Sequence, residues 1–165
     1  MTTQVASELQ IWKWLEEVSD PEIPVLTIVD LGVVRAVEVE GNKVTITITP
    51  TYSGCPAMQV IEEDIRILLT TKGISEVEVK LVLAPAWTTD WISEKGRIKL
   101  KEYGIAPPAD EVDKSVLFAD PPVIECPLCH STDTRMISQF GSTACKAHYQ
   151  CNSCLEPFDY FKCLK

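Results

Sequence analysis

VVRAVEVEGNKVTITIT, residues 33–49, is the stretch of sequence that decides the fold. It contains two runs rich in β-branched residues, and between them lies EGN, residues 40–42, which is typical of a turn. Apolar residues alternate with polar residues along both runs, as they do in a strand with one buried face. The stretch therefore predicts a β-hairpin with one apolar face.

Helical patterns precede and follow the hairpin. Ser7 begins a capping-box pattern with Gln10, and apolar residues then recur at helical spacing, so a first helix is predicted over residues 7–18. A second helix is predicted over residues 56–72 because Pro56 suits the first helical position and an apolar stripe follows it.

A third strand and a third helix complete the first part of the chain. Residues 77–83 alternate as a strand, which we expect to return beside the hairpin by a right-handed crossover. Thr88 or Thr89 then caps a single further helix that ends at Gly104. The order αββαβα predicts an α+β fold with a small mixed sheet in a domain over residues 1–105.

The composition changes after this domain. Residues 106–122 contain four prolines and are predicted to be a linker. Residues 123–165 contain six of the seven cysteines but few aliphatic residues, too few for an independent hydrophobic core. We expect metal to replace the core in this tail, which predicts a zinc-ribbon-like domain.

Charge and hydropathy exclude two classes of partner. The net charge is -9, and residues 1–122 hold 11 Lys and Arg against 20 Asp and Glu, whereas the tail holds four of each. Neither part supplies the basic cluster that nucleic-acid binding needs. No segment has the roughly 20 apolar residues of a membrane span, and no secretory leader is recognisable at the N-terminus. We expect a cytoplasmic protein without membrane or nucleic-acid partners.

The strongest motif is a pair of C-x2-C knuckles in the tail, Cys126 with Cys129 and Cys151 with Cys154. Each tight turn can place two sulfurs on one cation, so that two turns complete a tetrahedral shell. Structural Zn²⁺ is the preferred occupant, iron in the same four thiolates is the second choice, and disulfides or free thiols are the remaining alternative.

The remaining cysteines and histidines of the tail have weaker patterns. Cys145 and Cys163 form a possible second site, since Lys146 next to Cys145 favours a thiolate, although buried packing of Cys145 is an equal alternative. We favour supporting or surface positions over metal ligation for His130 and His148.

One cysteine and three carboxylates are candidates in the first domain. Cys55 is predicted at the start of the second helix, where backbone N–H groups stabilise a thiolate that can bind a soft metal or an iron–sulfur fragment. Asp20 and Glu22 lie on a proline-stiffened loop, and Asp30 lies just before the hairpin. Spacing alone favours a small buried cysteine and cap or turn roles for Asp20 and Asp30.

Two motifs carry a family resemblance. DPEIPVLTIVDLG (20–32) with TYSGCP (51–56) resembles the domain shared by bacterial SufT-like proteins and the eukaryotic cytosolic iron–sulfur targeting factors. Within that family, three further motifs are similar to the PaaD subgroup of aerobic phenylacetate catabolism: PAWTTDWI (85–92), FGSTACKA (140–147) and EPFDYFKC (156–163).

The resemblance implies an accessory factor rather than an enzyme with its own turnover. Its client would be the multicomponent phenylacetyl-CoA 1,2-epoxidase, either the reductase or the di-iron subunit, and its other partner the iron–sulfur assembly machinery. The family's cluster-associated cysteine falls on Cys55, which would hold iron or an iron–sulfur cluster transiently, alone, across a homodimer, or with other cysteines. The neighbouring motif positions are Asp20, Glu22, Asp30, Thr51 and Ser53.

Two other functions are weighed against this one. A non-catalytic structural subunit of the same oxygenase is the main alternative. A catalyst with Cys55 as its nucleophile is the weakest, because the chain contains two histidines and neither lies near Cys55 in sequence.

Overall fold

The predicted hairpin forms as β1 (Val34–Glu40) and β2 (Lys43–Ile48), which pair antiparallel. β3 (Glu76–Leu81) pairs parallel with β2, so the sheet has the order β1-β2-β3. The mixed sheet predicted from the sequence is therefore confirmed. The computed structural model describes residues 6–109 and 122–162 and divides the chain into two compact units, 1–96 and 97–165.

Two helices cover one face of this sheet in the first unit. α1 (Glu8–Leu15) begins where predicted, since the Ser7 Oγ accepts the Gln10 N–H at 3.3 Å, but it ends three residues early. α2 (Ala57–Thr71) buries an apolar stripe of the kind that the sequence predicted. The core residues of α2 and of the sheet include Ile61, Ile65, Leu69, Val44, Ile46 and Ile48.

The single helix predicted after residue 88 was wrong. The segment forms a 3-10 turn (Thr89–Trp91), an extended residue at Ile92, and then α3 (Glu94–Tyr103). The helix begins later because the Ser93 Oγ accepts the Gly96 N–H at 2.9 Å and caps it. The periodicity continued through the break, so the sequence pattern alone did not reveal it.

The second unit contains a four-stranded sheet with the order β4-β7-β6-β5. Its strands are β4 (Ile105–Ala106), β5 (Thr134–Ser138), β6 (Lys146–Cys151) and β7 (Pro157–Phe161). β4 pairs parallel with β7, and the other pairs are antiparallel. No helix in the described residues is long and apolar enough to cross a membrane.

The expectation that this unit lacks a hydrophobic core was wrong. Tyr149 packs against Phe158 and Tyr160 with ring centroids 5.8 and 5.6 Å apart, and all three side chains are buried. The two knuckle cysteines Cys126 and Cys151 belong to the same cluster. Each aromatic ring buries a large area, so few residues suffice where a count of aliphatic residues predicted too little.

Candidate functional site

The four knuckle cysteines meet at one end of the second unit. Their Sγ atoms all lie within 4.8 Å of one another, with Cys126 3.8 Å from Cys154 and Cys129 3.5 Å from Cys151. Among the described residues this is the one group of three or more His, Cys, Asp or Glu side chains that is close enough to share an ion. Four thiolates at such distances are the donor set of a tetrahedral metal site.

The backbone turns sharply after each knuckle, which brings the two pairs together. His130 and Leu155, each following the second cysteine of a knuckle, have left-handed φ values of 63° and 66°. The Ser131 and Ser153 hydroxyls lie 2.7 Å apart and link the two knuckles directly. The folded chain therefore holds the sulfurs near one another through its own backbone and side-chain contacts.

The electrostatics of this cluster favour a thiolate at Cys151, whereas burial and the neighbouring sulfurs raise the pKa of Cys154 to about 12 and the pKa of Cys129 is also raised. The backbone N–H of Cys154 and, less strongly, that of Ser153 lower the pKa of the Cys151 thiol to about 6. A thiol with a pKa near 6 is largely ionised at neutral pH, and the thiolate is the form that binds metal.

A second constellation lies at the start of α2 in the first unit. Cys55 comes just before Pro56, the N-cap residue, and its half-buried sulfur accepts the backbone N–H of Ala57. The Tyr52 hydroxyl donates to the Glu22 carboxylate at 3.1 Å and is also hydrogen-bonded to Cys55. Tyr52 thus connects the thiol to a carboxylate that is 33 residues away from it in sequence. The sequence analysis missed Tyr52, although it is part of the TYSGCP motif.

The surroundings of Cys55 oppose ionisation of its thiol. Burial raises the pKa of Cys55, and the negative charges of Glu22 and Asp20 raise it further, while the hydrogen bonds that Cys55 shares with Ala57 and Tyr52 lower it. The Ala57 N–H at the helix start lowers the pKa of Cys55, as expected, but burial and the two carboxylates outweigh this effect, so the net shift is opposite to the expected activation. The charges of two carboxylates, Glu22 and Asp20, act on this half-buried thiol, and a bound cation would offset them.

The candidate carboxylates differ in what they contact. The Asp20 Oδ1 accepts the backbone N–H of Glu22 at 2.8 Å and of Ile23 at 2.9 Å, which fixes the loop that carries Glu22. Asp30 is buried and contacts the Thr27 N–H at 3.3 Å and the Ser93 hydroxyl at 3.3 Å.

The remaining candidates have separate surroundings. Thr51 is half-buried and Ser53 exposed in the loop before α2. In the second unit, Cys145 is buried with its Sγ 3.0 Å from the Thr143 hydroxyl, and Lys146 is paired with Asp159 at 3.6 Å. Cys163 lies outside the described residues.

The two histidines pair with carboxylates. The His130 Nδ1 lies 2.9 Å from Glu125, and the His148 Nδ1 lies 3.3 Å from Asp159. Neither histidine is a member of the group of four sulfurs.

We expect the alkylation of Cys55 in iron-free protein to be slow at neutral pH and to rise with pH beyond the ordinary range of a cysteine, because its raised pKa keeps it protonated. Glu22→Gln removes a negative charge and should lower this pKa, so that the rate rises at lower pH. Mass spectrometry of the Cys55 peptide, with the ribbon kept zinc-loaded, gives the pH–rate profile. Glu38→Gln, the same change on an exposed strand position, is the control, and a plateau below the ordinary cysteine pKa would contradict the prediction.

Family models match both parts of the chain. The family model described as "PaaD zinc beta ribbon domain" matches residues 110–162, and the model described as "Iron-sulfur cluster assembly protein" matches residues 8–81. A crystal structure of a domain of unknown function, DUF59, from Bacillus anthracis is similar with a TM-score of 0.54 and 35% identity, over 56% of this chain and 90% of that one.

Two curated relatives are similar over different lengths. An Fe-S protein maturation auxiliary factor of Porphyromonas gingivalis is 38% identical over 96 residues, 57% of this chain and 90% of the relative. A protein of Escherichia coli (strain K12), provisionally named as a subunit of 1,2-phenylacetyl-CoA epoxidase, is 54% identical over 155 residues, 94% of this chain and 92% of the relative. The chain therefore belongs to the PaaD family, in which an iron–sulfur cluster assembly domain is joined to a zinc β-ribbon.

Proposed function

We propose that the protein is an accessory factor that works in the cytoplasm and helps to mature the iron or iron–sulfur centres of phenylacetyl-CoA 1,2-epoxidase. The observation that carries the proposal is the contact of Tyr52 with both Cys55 and Glu22, which puts a thiol and a carboxylate together at the start of α2. The names of the relatives, an epoxidase subunit and an Fe-S maturation factor, support the client and the task.

The two units bind metal for different purposes: the ribbon for stability and the first unit for transfer. The four cysteines of the ribbon hold Zn²⁺ permanently, since a closed shell of four thiolates leaves no open position for exchange or catalysis. Iron in the same shell is the alternative occupant, and metal analysis distinguishes the two.

The site at Cys55 suits cargo that is held and passed on. One thiolate and nearby oxygen donors give fewer and less uniform ligands than the ribbon, so an iron ion or cluster bound there is easier to release. Asp20 shapes the loop, Glu22 and Cys55 face the cargo, and Tyr52 orients both. Asp30, Thr51 and Ser53 remain motif neighbours with supporting roles, and Cys145 with Cys163 remains a candidate second site.

No turnover of its own is assigned to the chain. A cysteine nucleophile needs a base to activate it, and residues 1–96 contain no histidine. The raised pKa of Cys55 also argues against a catalytic nucleophile, since a nucleophilic cysteine normally has a lowered pKa and is ionised at neutral pH.

We expect Cys55→Ser to leave the fold and the ribbon metal unchanged but to reduce the iron content of the protein, purified without oxygen, by at least about tenfold, because a ligand is lost. Metal and acid-labile sulfide analysis gives the result. The wild type should contain zinc with iron, and the variant zinc alone. Cys145→Ser, which also removes a sulfur outside the four-cysteine group, is compared with it. Iron that is kept in Cys145→Ser assigns the cargo to Cys55 alone, and iron that is lost there assigns Cys145 to the same site or to the candidate second site.

The same variant tests the role in cells. Cells whose only copy is Cys55→Ser should produce an epoxidase with less iron in its reductase or its di-iron subunit, and the depleted component identifies the client. Normal epoxidase activity and iron content in these cells would refute the maturation role.

A permanent structural subunit of the epoxidase is the second candidate, favoured by the name of the Escherichia coli relative. Co-purification with the epoxidase in fixed stoichiometry, with client metal content unchanged when this chain is absent, would support it. Sedimentation of the isolated chain, with and without iron, tests whether Cys55 holds its cargo across a homodimer.

A further inference from the structure

An open groove of about 420 Å³ lies in the first unit, where the segment that follows α1 passes α2. It is separate from the Cys55 loop, because its lining from α2 comes from the middle and end of that helix. The residues that line it include Glu17, Val18, Asp64, Ile67, Leu68 and Thr71.

The floor of the groove is apolar. Val18 is buried, Leu68 is half-buried, and Ile67 is 58% exposed. Single exposed aliphatic residues are common on protein surfaces. Ile67 differs because it lines a concave surface beside two other aliphatic side chains, where an incoming apolar side chain would be buried against all three.

The rim of the groove is acidic. Two carboxylates lie on the rim: Asp64 has no ion-pair partner among the described residues, and Glu17 is paired with Lys72 at 2.8 Å. Glu63 precedes Asp64 in α2 and does not line the groove, and it too has no ion-pair partner among the described residues. The wider surface has the same sign, since residues 6–96 contain 15 Asp and Glu against seven Lys and Arg. A basic partner would be attracted from a distance and then pair with the unpaired carboxylates.

We propose that this groove docks a short, basic, amphipathic segment of a partner protein. One apolar side chain of the segment packs on Val18, Ile67 and Leu68, and flanking Lys or Arg residues pair with Asp64 and Glu63. An apolar anchor between basic residues is the complement of an apolar floor with an acidic rim.

The position of the groove links docking to the proposed cargo site. Ser19 also lines the groove, and it directly precedes Asp20, which fixes the loop of Glu22. A segment bound in the groove therefore lies against the start of the loop that carries one of the proposed ligands. That the docked partner is the epoxidase rests on the proposed function. That the docked segment is basic and amphipathic rests on the groove alone.

The experiment uses the full-length, zinc-loaded protein with two sets of peptides of about 15 residues: overlapping peptides that cover the reductase and di-iron subunits of the epoxidase, and designed peptides with one Leu or Phe between Lys residues, which do not depend on the client. Fluorescence anisotropy measures the binding of each labelled peptide. We expect the bound peptides to combine a large apolar residue with at least two Lys or Arg, and their affinity to fall as ionic strength rises. Asp64→Lys and Ile67→Ser should each weaken binding at least about tenfold, since one places like charges together and the other removes the apolar contact.

Glu38→Lys is the matched control, because it makes the same charge change as an acidic-to-lysine variant of the rim but lies on the exposed face of β1. It should keep most of the affinity. The proposal is overturned if no peptide binds, if Glu38→Lys weakens binding as much as Asp64→Lys, or if the bound peptides are not basic. It is also overturned if a second copy of the chain occupies the groove, seen as a dimer that Ile67→Ser dissociates. The iron analysis of Cys55→Ser tests cargo binding without involving the groove, and the peptide experiment tests docking without involving Cys55. Either proposal can therefore be refuted while the other stands.

Discussion

Cys151→Ser is expected to unfold the ribbon and release its zinc while the first unit stays folded. Cys151 is fully buried in the aromatic cluster and its sulfur belongs to the four-sulfur group, so one substitution removes a metal ligand and loosens the core beside it. Structural zinc contributes about 10–16 kcal/mol to the folding of zinc-finger peptides near pH 7. A sheet whose longest strand has six residues, packed around three aromatic rings, does not replace so large a contribution.

The expected result is read in three ways. Zinc should fall from one per chain to near zero, near-ultraviolet circular dichroism from the ribbon tyrosines should weaken, and proteases should cleave within residues 122–162. Cys145→Ser is the control, since Cys145 is equally buried but lies outside the four-sulfur group. A Cys151→Ser protein with a full zinc content and a protected ribbon would contradict the assignment of this cysteine as a structural ligand.

Acid should weaken zinc binding by the four cysteines of the ribbon. The lowered pKa of Cys151 means that its thiolate contributes stability above the ordinary cysteine pKa, and that this contribution is lost as pH falls through about 6. Zinc binding to thiolates releases protons and is weakened by acid in the same sense. The ribbon is therefore expected to lose zinc on acidification before the first unit unfolds.

Local patterns explain which parts of the fold the sequence predicted well. The hairpin is encoded by alternation around a turn at Gly41, the second helix by an apolar stripe, and the metal-binding arrangement by two knuckles. Each of these signals lies within a few residues. The pairing of β4 with β7 depends on contacts between distant segments, and no periodicity records it. The break at Ser93 has a local cause, the cap on Gly96, which a search for apolar periodicity does not detect.

The same distinction applies to the candidate site. The family resemblance identified Cys55 and Glu22, but it did not show that Tyr52 connects them. Tyr52 contacts Glu22, which lies 30 positions before it in the sequence, and Cys55, which lies three positions after it. The direction of the Cys55 pKa shift also followed from structure alone. A helix N-terminus predicts a lowered pKa, and the opposite result comes from burial and from two carboxylates whose proximity depends on the folded loop.

Gly32→Ala is expected to destabilise the first unit by about 3 kcal/mol. Gly32 has a left-handed φ of 73°, which costs an alanine about 1 kcal/mol. A Cβ at this position would lie 2.4 Å from the Trp91 carbonyl oxygen and 2.7 Å from the Trp91 Cβ. Relief of this overlap requires movement of backbone, and overpacking of this kind adds about 1–3 kcal/mol. The segment cannot move freely, because Trp87 Nε1 donates to the Leu31 carbonyl at 2.9 Å.

Gly41→Ala separates the cost of the left-handed backbone conformation from the cost of the overlap with Trp91. Gly41 has a similar φ of 61°, but a Cβ there would have no atom within 4 Å, so its substitution should cost only the backbone term of about 1 kcal/mol. All four tryptophans lie in residues 1–96, so tryptophan fluorescence during urea unfolding reports on the first unit. Equal losses for the two variants would show that the segment of residues 85–92 yields to the added methyl group. A larger loss for Gly32→Ala would show that this segment is held firmly against the turn before β1, on the side of the first unit where the buried Asp30 binds Ser93.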